Sequence, residues 1–158
     1  MASELGELPC RHVLTLPTMP AAVRMVRETT EQVLAEWGVN QRHPAVDPAL
    51  LIIAELVTNS IRHAAEVSPQ LTVLYAASAD TFAFGVHDRH PYQPALYSSP
   101  MHAGSGLATV VELTHGLGGS AVVRPDADRG GKSIWITLPL RPAHGQGPGS
   151  TRKAVHDQ

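Results

Sequence analysis

Asp47-Pro-Ala-Leu-Leu-Ile-Ile-Ala-Glu55-Leu-Val-Thr-Asn59-Ser-Ile-Arg62-His63-Ala-Ala65 reads as a helix that can exist only inside a larger fold. Asp47 is a capping residue and Pro48 suits a first turn, where its missing N–H costs nothing. Leu50, Ile53, Ala54, Val57, Ile61 and Ala64 share one face, and Leu51, Ile52 and Leu56 carry the apolar surface around most of the cylinder. Such a helix is mostly buried. Yet Glu55, Asn59 and Arg62 fall in one stripe at spacings of four and three. Buried polar groups need partners. Either Glu55 and Arg62 form an internal pair with Asn59 as a bystander, or the stripe faces a ligand.

Working outward, Arg11–Leu16 alternates and stops at Pro17, as an edge strand does. After Pro20, a helical repeat through Val23, Val26, Thr30, Val33, Leu34 and Trp37 ends at Gly38. Downstream, Leu71–Ala76 and Thr81–Asp88 form a hairpin pattern, followed by an aperiodic, proline-bearing stretch, Arg89–Ala103, with the length of a lid. Gly104-Ser105-Gly106 opens a helix over Leu107–Leu117, and Ser120–Arg124 and Ser133–Leu138 are strands around the turn Pro125–Gly131. The order predicts an α+β fold: a two-layer sandwich whose mixed, mainly antiparallel sheet is covered on one face by about three helices. Residues 1–10 and 141–158 are expected to be disordered, the latter rich in Pro, Gly, Ser and charge, leaving one domain over 11–140.

Composition narrows the function classes. At 158 residues there is room for one core, and 43% hydrophobic residues suffice to build it. Twelve basic against fourteen acidic residues lack the footprint of a nucleic-acid binder. The single cysteine, Cys10, allows no internal disulfide, and no apolar run nears the roughly 20 residues of a membrane span. The expectation is a cytoplasmic protein with no membrane role. Nine histidines are scattered without metal-ligand spacing, which favours structural or solvated roles.

Three further features bear on chemistry. Period two puts Phe82, Phe84, Val86 and Asp88 on one strand face, so an apolar row ends in a carboxylate that can accept from a ligand amine or cap a turn. Gly104 and Gly106 at a helix start let backbone N–H groups approach an anion, or serve as a hinge capped by Ser105. Gly130-Gly-Lys-Ser133 precedes a strand, so it is a tight turn and not a phosphate-binding P-loop.

In order, Glu55-Leu-Val-Thr-Asn59-Ser-Ile-Arg62-His63, Val86-His-Asp88, Gly104-Ser-Gly-Leu107 and Gly131-Lys-Ser-Ile-Trp135 resemble the N, G1, G2 and G3 boxes of the histidine-kinase-like ATPase superfamily. Within it the chain is similar to small anti-sigma-factor serine/threonine kinases and to actinomycete regulatory ATP-binding proteins. The resemblance implies ATP and Mg²⁺ as ligands, Asn59 on the metal, Glu55 as general base, and Asp88 accepting from the adenine amine. It implies that Gly104, Ser105, Gly106 and Leu107 meet the phosphates, that Ser133 stands at the position of an adenine-supporting Thr, and that Arg62 and His63 lie within reach of phosphate. Implied partners are a sigma-like factor and an antagonist protein, with a homodimer through the edge strand. Two positions depart from the pattern: His90 stands where a glycine is common after Asp88, and Ser105 where a basic residue is common. Retained Glu55 favours a kinase; His90 and Ser105 favour a nucleotide-dependent interaction module with little or no phosphoryl transfer.

Overall fold

The computed structural model describes residues 8–92, 94 and 106–141. Its elements run β1 (Cys10–Pro17), α1 (Ala21–Glu36), α2 (Val46–Ala64), β2 (Gln70–Ala77), β3 (Thr81–Asp88), α3 (Gly106–Gly116), β4 (Ser120–Pro125) and β5 (Lys132–Pro139). The expected α+β sandwich is present, with five strands in the order β1-β2-β3-β5-β4. Every pairing is antiparallel, where some parallel pairing was expected. The crossover through α3 sends β4 along the direction of β3, but the hairpin returns β5 between them, so no parallel ladder forms.

Alternation along the strands divides the sheet into two faces. Leu71, Val73, Tyr75 and Ala77 of β2, Phe82, Phe84 and Val86 of β3, and Ile134, Ile136 and Leu138 of β5 are buried beneath the helices. There they join Val26, Val33 and Leu34 of α1, and Ile52, Ile53, Leu56 and Val57 of α2, in one cluster. The Tyr75 hydroxyl is satisfied inside this layer by Thr30, 2.8 Å away, and burial pushes its pKa up to about 12, the Thr30 bond opposing. On the other face Gly85 lies opposite Trp135, whose indole fills the space a Cβ would need.

The central helix starts two residues before the expected cap and first turn. Ala45 is its N-cap and makes no side-chain bond, so Asp47 is not the cap. Asp47 instead occupies the first turn, favoured by the positive helix end, and Pro48 still falls where N–H groups have no intrahelical partner. The entry loop is fixed by His43: its Nδ1 accepts from the Ala45 N–H at 3.0 Å, leaving Nε2 to donate to the Leu140 carbonyl at 2.6 Å. This histidine is structural, as expected. Of the expected disordered termini and the lid, residues 1–7, 142–158, 93 and 95–103 lie outside the described residues.

Candidate functional site

The second half of α2, the end of β3, the start of α3 and the start of β5 converge at one end of the sandwich. Glu55 and Asn59, one helical turn apart, are both partly buried. A Cβ on Gly106 would collide with the Glu55 carboxylate, so the glycine lets the start of α3 close onto α2. That puts the carboxylate beside the positive end of α3. The internal Glu55–Arg62 pair, one of the two alternatives, does not form among the described residues: Arg62 is exposed, as is His63. Seven residues along a helix span about 10 Å, and the guanidinium reaches water more easily than it reaches Glu55. Leu107 packs on the core edge, while Gly104 and Ser105 lie outside the described residues.

Asp88 is the best-determined member of the group. It is 2% exposed, at the inner end of β3 as the alternation predicts. Its Oδ2 accepts from Ser60 Oγ of α2 at 2.8 Å. Its Oδ1 accepts from the His90 backbone N–H at 3.0 Å and from Lys132 Nζ at 2.8 Å. Of the two roles weighed from the sequence, the His90 bond is the turn-capping one, made here by a side chain that also ends the core face. Ser60 and Lys132 were missed by sequence reasoning. Lys132 pairs directly with Asp88 across the β3–β5 ladder, and its side chain is 4% exposed. Ser133, the expected adenine support, is the next residue along β5 and so points to the opposite face. Lys132, not Ser133, reaches Asp88. The register could have been anticipated by counting outward from the buried Ile134 and Ile136.

A second cluster fastens the chain just beyond β3. The Arg89 N–H donates to Ser68 Oγ at 2.9 Å, and its guanidinium holds Asp126 at 2.6 Å and Asp128 at 2.9 Å on the β4–β5 turn. His87 Nε2 donates to Asp126, 2.9 Å from Oδ2 and 3.0 Å from Oδ1. The Arg89 bond, then a backbone N–H from Gly130, hold the Asp128 carboxyl down to about 2. Burial alone would raise Asp126, but the His87 and Arg89 bonds outweigh it and leave it below the usual carboxylate range. The Gly130-Gly131 pair follows from this approach: a Cβ on Gly130 would strike the Arg89 guanidinium, and one on Gly131 the Asp126 carboxylate and the Asp88 carbonyl.

The arrangement offers a carboxylate at the sheet end for a ligand N–H. Separately, it places a carboxylate and an amide one turn apart next to a helix start that favours anions. No three metal-ligating side chains cluster among the described residues. The neutral oxygen that α2 offers a cation there is the Asn59 amide, partly buried one turn from Glu55. No helix among the described residues is long and apolar enough to cross a membrane.

No protein-family model matches the sequence, and no curated protein does. Solved structures do. The structure of the RsbU and RsbW domains of a Mycobacterium tuberculosis protein superposes with a TM-score of 0.61 at 24% identity, over 85% of this chain and 34% of that one. This chain thus spans about a third of that structure. The histidine kinase domain of a blue-light-activated histidine kinase from Erythrobacter litoralis gives 0.50 at 18% identity over 79% of this chain and 62% of its own. The Acinetobacter baumannii histidine kinase AdeS gives 0.50 at 15% identity over 83% and 68%. The fold is that of the histidine-kinase-like ATPases.

Proposed function

We propose that this chain, folded as a histidine-kinase-like ATPase domain, is an ATP-binding regulatory protein of the cytoplasm. Its activity would be that of a serine/threonine kinase: an anti-sigma factor that phosphorylates an antagonist protein. The observation that carries the reading is the seat of Glu55, partly buried, free of any ion pair among the described residues, and packed against Gly106 where α3 begins. A base for phosphoryl transfer needs that combination: close to the phosphate-favouring helix start, and not neutralised by a neighbouring cation. Likeness to a structure of RsbU and RsbW domains and to two histidine kinases supports the same class.

In this reading Asp88 accepts from the base amine and Asn59 serves the cation that accompanies the phosphates. Gly106 and Leu107 at the start of α3 lie at the phosphate end, and the family resemblance assigns Gly104 and Ser105 to the same task. Glu55 takes the proton from the attacking serine hydroxyl as the oxygen closes on the γ-phosphorus, and the ADP oxygen leaves on the far side. Bound Mg²⁺ would supply charge neutralisation of the phosphates.

The test is Glu55→Gln, which keeps size and packing. Phosphoryl transfer to candidate serine-bearing antagonist proteins should fall by roughly 10²–10⁴-fold while ATP affinity stays within about twofold. Wild-type protein that binds ATP but transfers nothing would replace the kinase by the second reading, a nucleotide-dependent interaction module. The observation favouring that second reading is that Asp88 is already held by Lys132.

A further inference from the structure

The carboxylate that would meet the base is not free. Asp88 offers about four lone-pair directions; Ser60 Oγ, the His90 N–H and Lys132 Nζ occupy three. The third partner differs from the other two. Ser60 and His90 are neutral donors that orient the carboxylate, whereas the Lys132 ammonium cancels the charge that makes it a strong acceptor. Lys132 is not reaching past Asp88 to water: its side chain is 4% exposed, and its other polar contact is the His90 carbonyl at 3.4 Å.

Packing does not require a cation here. Replacing a buried ion pair by apolar groups of similar volume is often neutral for stability, and the other core-facing positions of β5 are Ile134, Ile136 and Leu138. The choice of cation is also unusual for this chain, which has ten arginines and only two lysines, Lys132 and Lys153. Where the side chain is a lysine or arginine, the other ion pairs among the described residues, just beyond β3, on α1 and at Arg141, use arginine. A guanidinium would lock Asp88 in a planar fork; an ammonium on a four-carbon stem makes a point contact that can be withdrawn.

We propose that Lys132 is an internal competitor for the base, so that nucleotide binding is an exchange in which the ligand's exocyclic amine takes the place of the Lys132 ammonium on Asp88. The assignment rests on the proposed nucleotide site. The exchange sets affinity, because each binding event must first break a buried ion pair. It also reaches the backbone just beyond β3, since Lys132 and Asp88 both contact His90.

The experiment is a titration of the full-length wild type, Lys132→Met and Lys132→Thr with ATP and Mg²⁺ by calorimetry. Both variants should bind ATP at least tenfold more tightly than the wild type. Equal or weaker binding by the variants, with measurable wild-type binding, overturns the exchange and leaves the nucleotide site standing. No binding by any of the three overturns both. If the variants fail to fold, acylation of wild-type lysines decides, with Lys153 as internal reference. The Lys132 amine should react slowly in the free protein and several-fold faster under saturating ATP; an unchanged or slower rate refutes the displacement.

Discussion

Removing either partner of the Asp88–Lys132 pair should cost far more than removing both. At 2.8 Å and an effective dielectric constant near 20, the mutual attraction is about 6 kcal/mol. Taking each ion out of water opposes it by several kcal/mol, so the intact pair contributes little net stability. Lys132→Met leaves Asp88 with its two neutral donors but no counter-charge, and Asp88→Asn leaves an ammonium whose side chain is 4% exposed. Each single change should destabilise by about 3–5 kcal/mol, the usual cost of orphaning one buried ion. The double variant Asp88→Asn, Lys132→Met should lie within about 1 kcal/mol of the wild type. Urea unfolding without nucleotide measures this: with an m-value of about 2 kcal/mol/M, each single variant loses about 2 M in midpoint. Tryptophan emission can follow it, since Trp37 packs edge-on to Phe82 and Trp135 lies over Gly85. Single variants costing under about 1 kcal/mol, or costs that simply add in the double, would refute a buried, coupled pair.

Three other outcomes follow from the same geometry. Asn59→Ala should abolish the Mg²⁺ dependence of ATP affinity more than the affinity itself; wild-type binding that is indifferent to Mg²⁺ would remove the amide from the cation's shell. The Arg89–Asp126–Asp128 latch should hold at pH 4 and release toward pH 2. Both carboxyls are depressed in the folded state, so their contribution is present above the unfolded value near 3.8 and disappears as pH falls through the folded one. Protease cleavage near residues 89–92 that rises at pH 5 instead would count against it. At the alkaline end, the Tyr75 pKa raised to about 12 means stability present below pH 10 and lost between about 10 and 12, and Tyr75→Phe should remove that component from the pH–stability curve while losing about 1 kcal/mol with the Thr30 bond.

The strands and helices were legible because the periods are unmixed. Phe82, Phe84 and Val86 alternate cleanly, and the same count carried Asp88 to the inner face where it is found. Less legible was anything decided by the contact of two elements. Glu55 and Arg62 share a stripe in the sequence, but a wheel has no length axis, and two turns of separation let Arg62 leave for solvent. Asp47 looked like a cap because Asp-Pro is a strong start signal; the bonds of His43 to Ala45 and Leu140 set the entry of the helix instead. Gly130 and Gly131 read as a tight turn, and their further role, admitting Arg89 and Asp126, depends in part on a residue just beyond β3, distant in the sequence.

The miss at Ser133 shows how a motif and a register can disagree. Matching residue types placed a hydroxyl at the adenine, and that matching ignores which way a side chain points. The alternation of β5 is set by Ile134, Ile136 and Leu138, whose burial in the core outweighs any preference of one polar residue. Once those three face inward, Lys132 must as well, and the residue opposite it in the ladder, Asp88, takes its charge. The ion pair is thus a consequence of hydrophobic register. Its chemistry at the candidate base site follows from the core, and the residue that most alters the expected pocket is one that a motif comparison passes over.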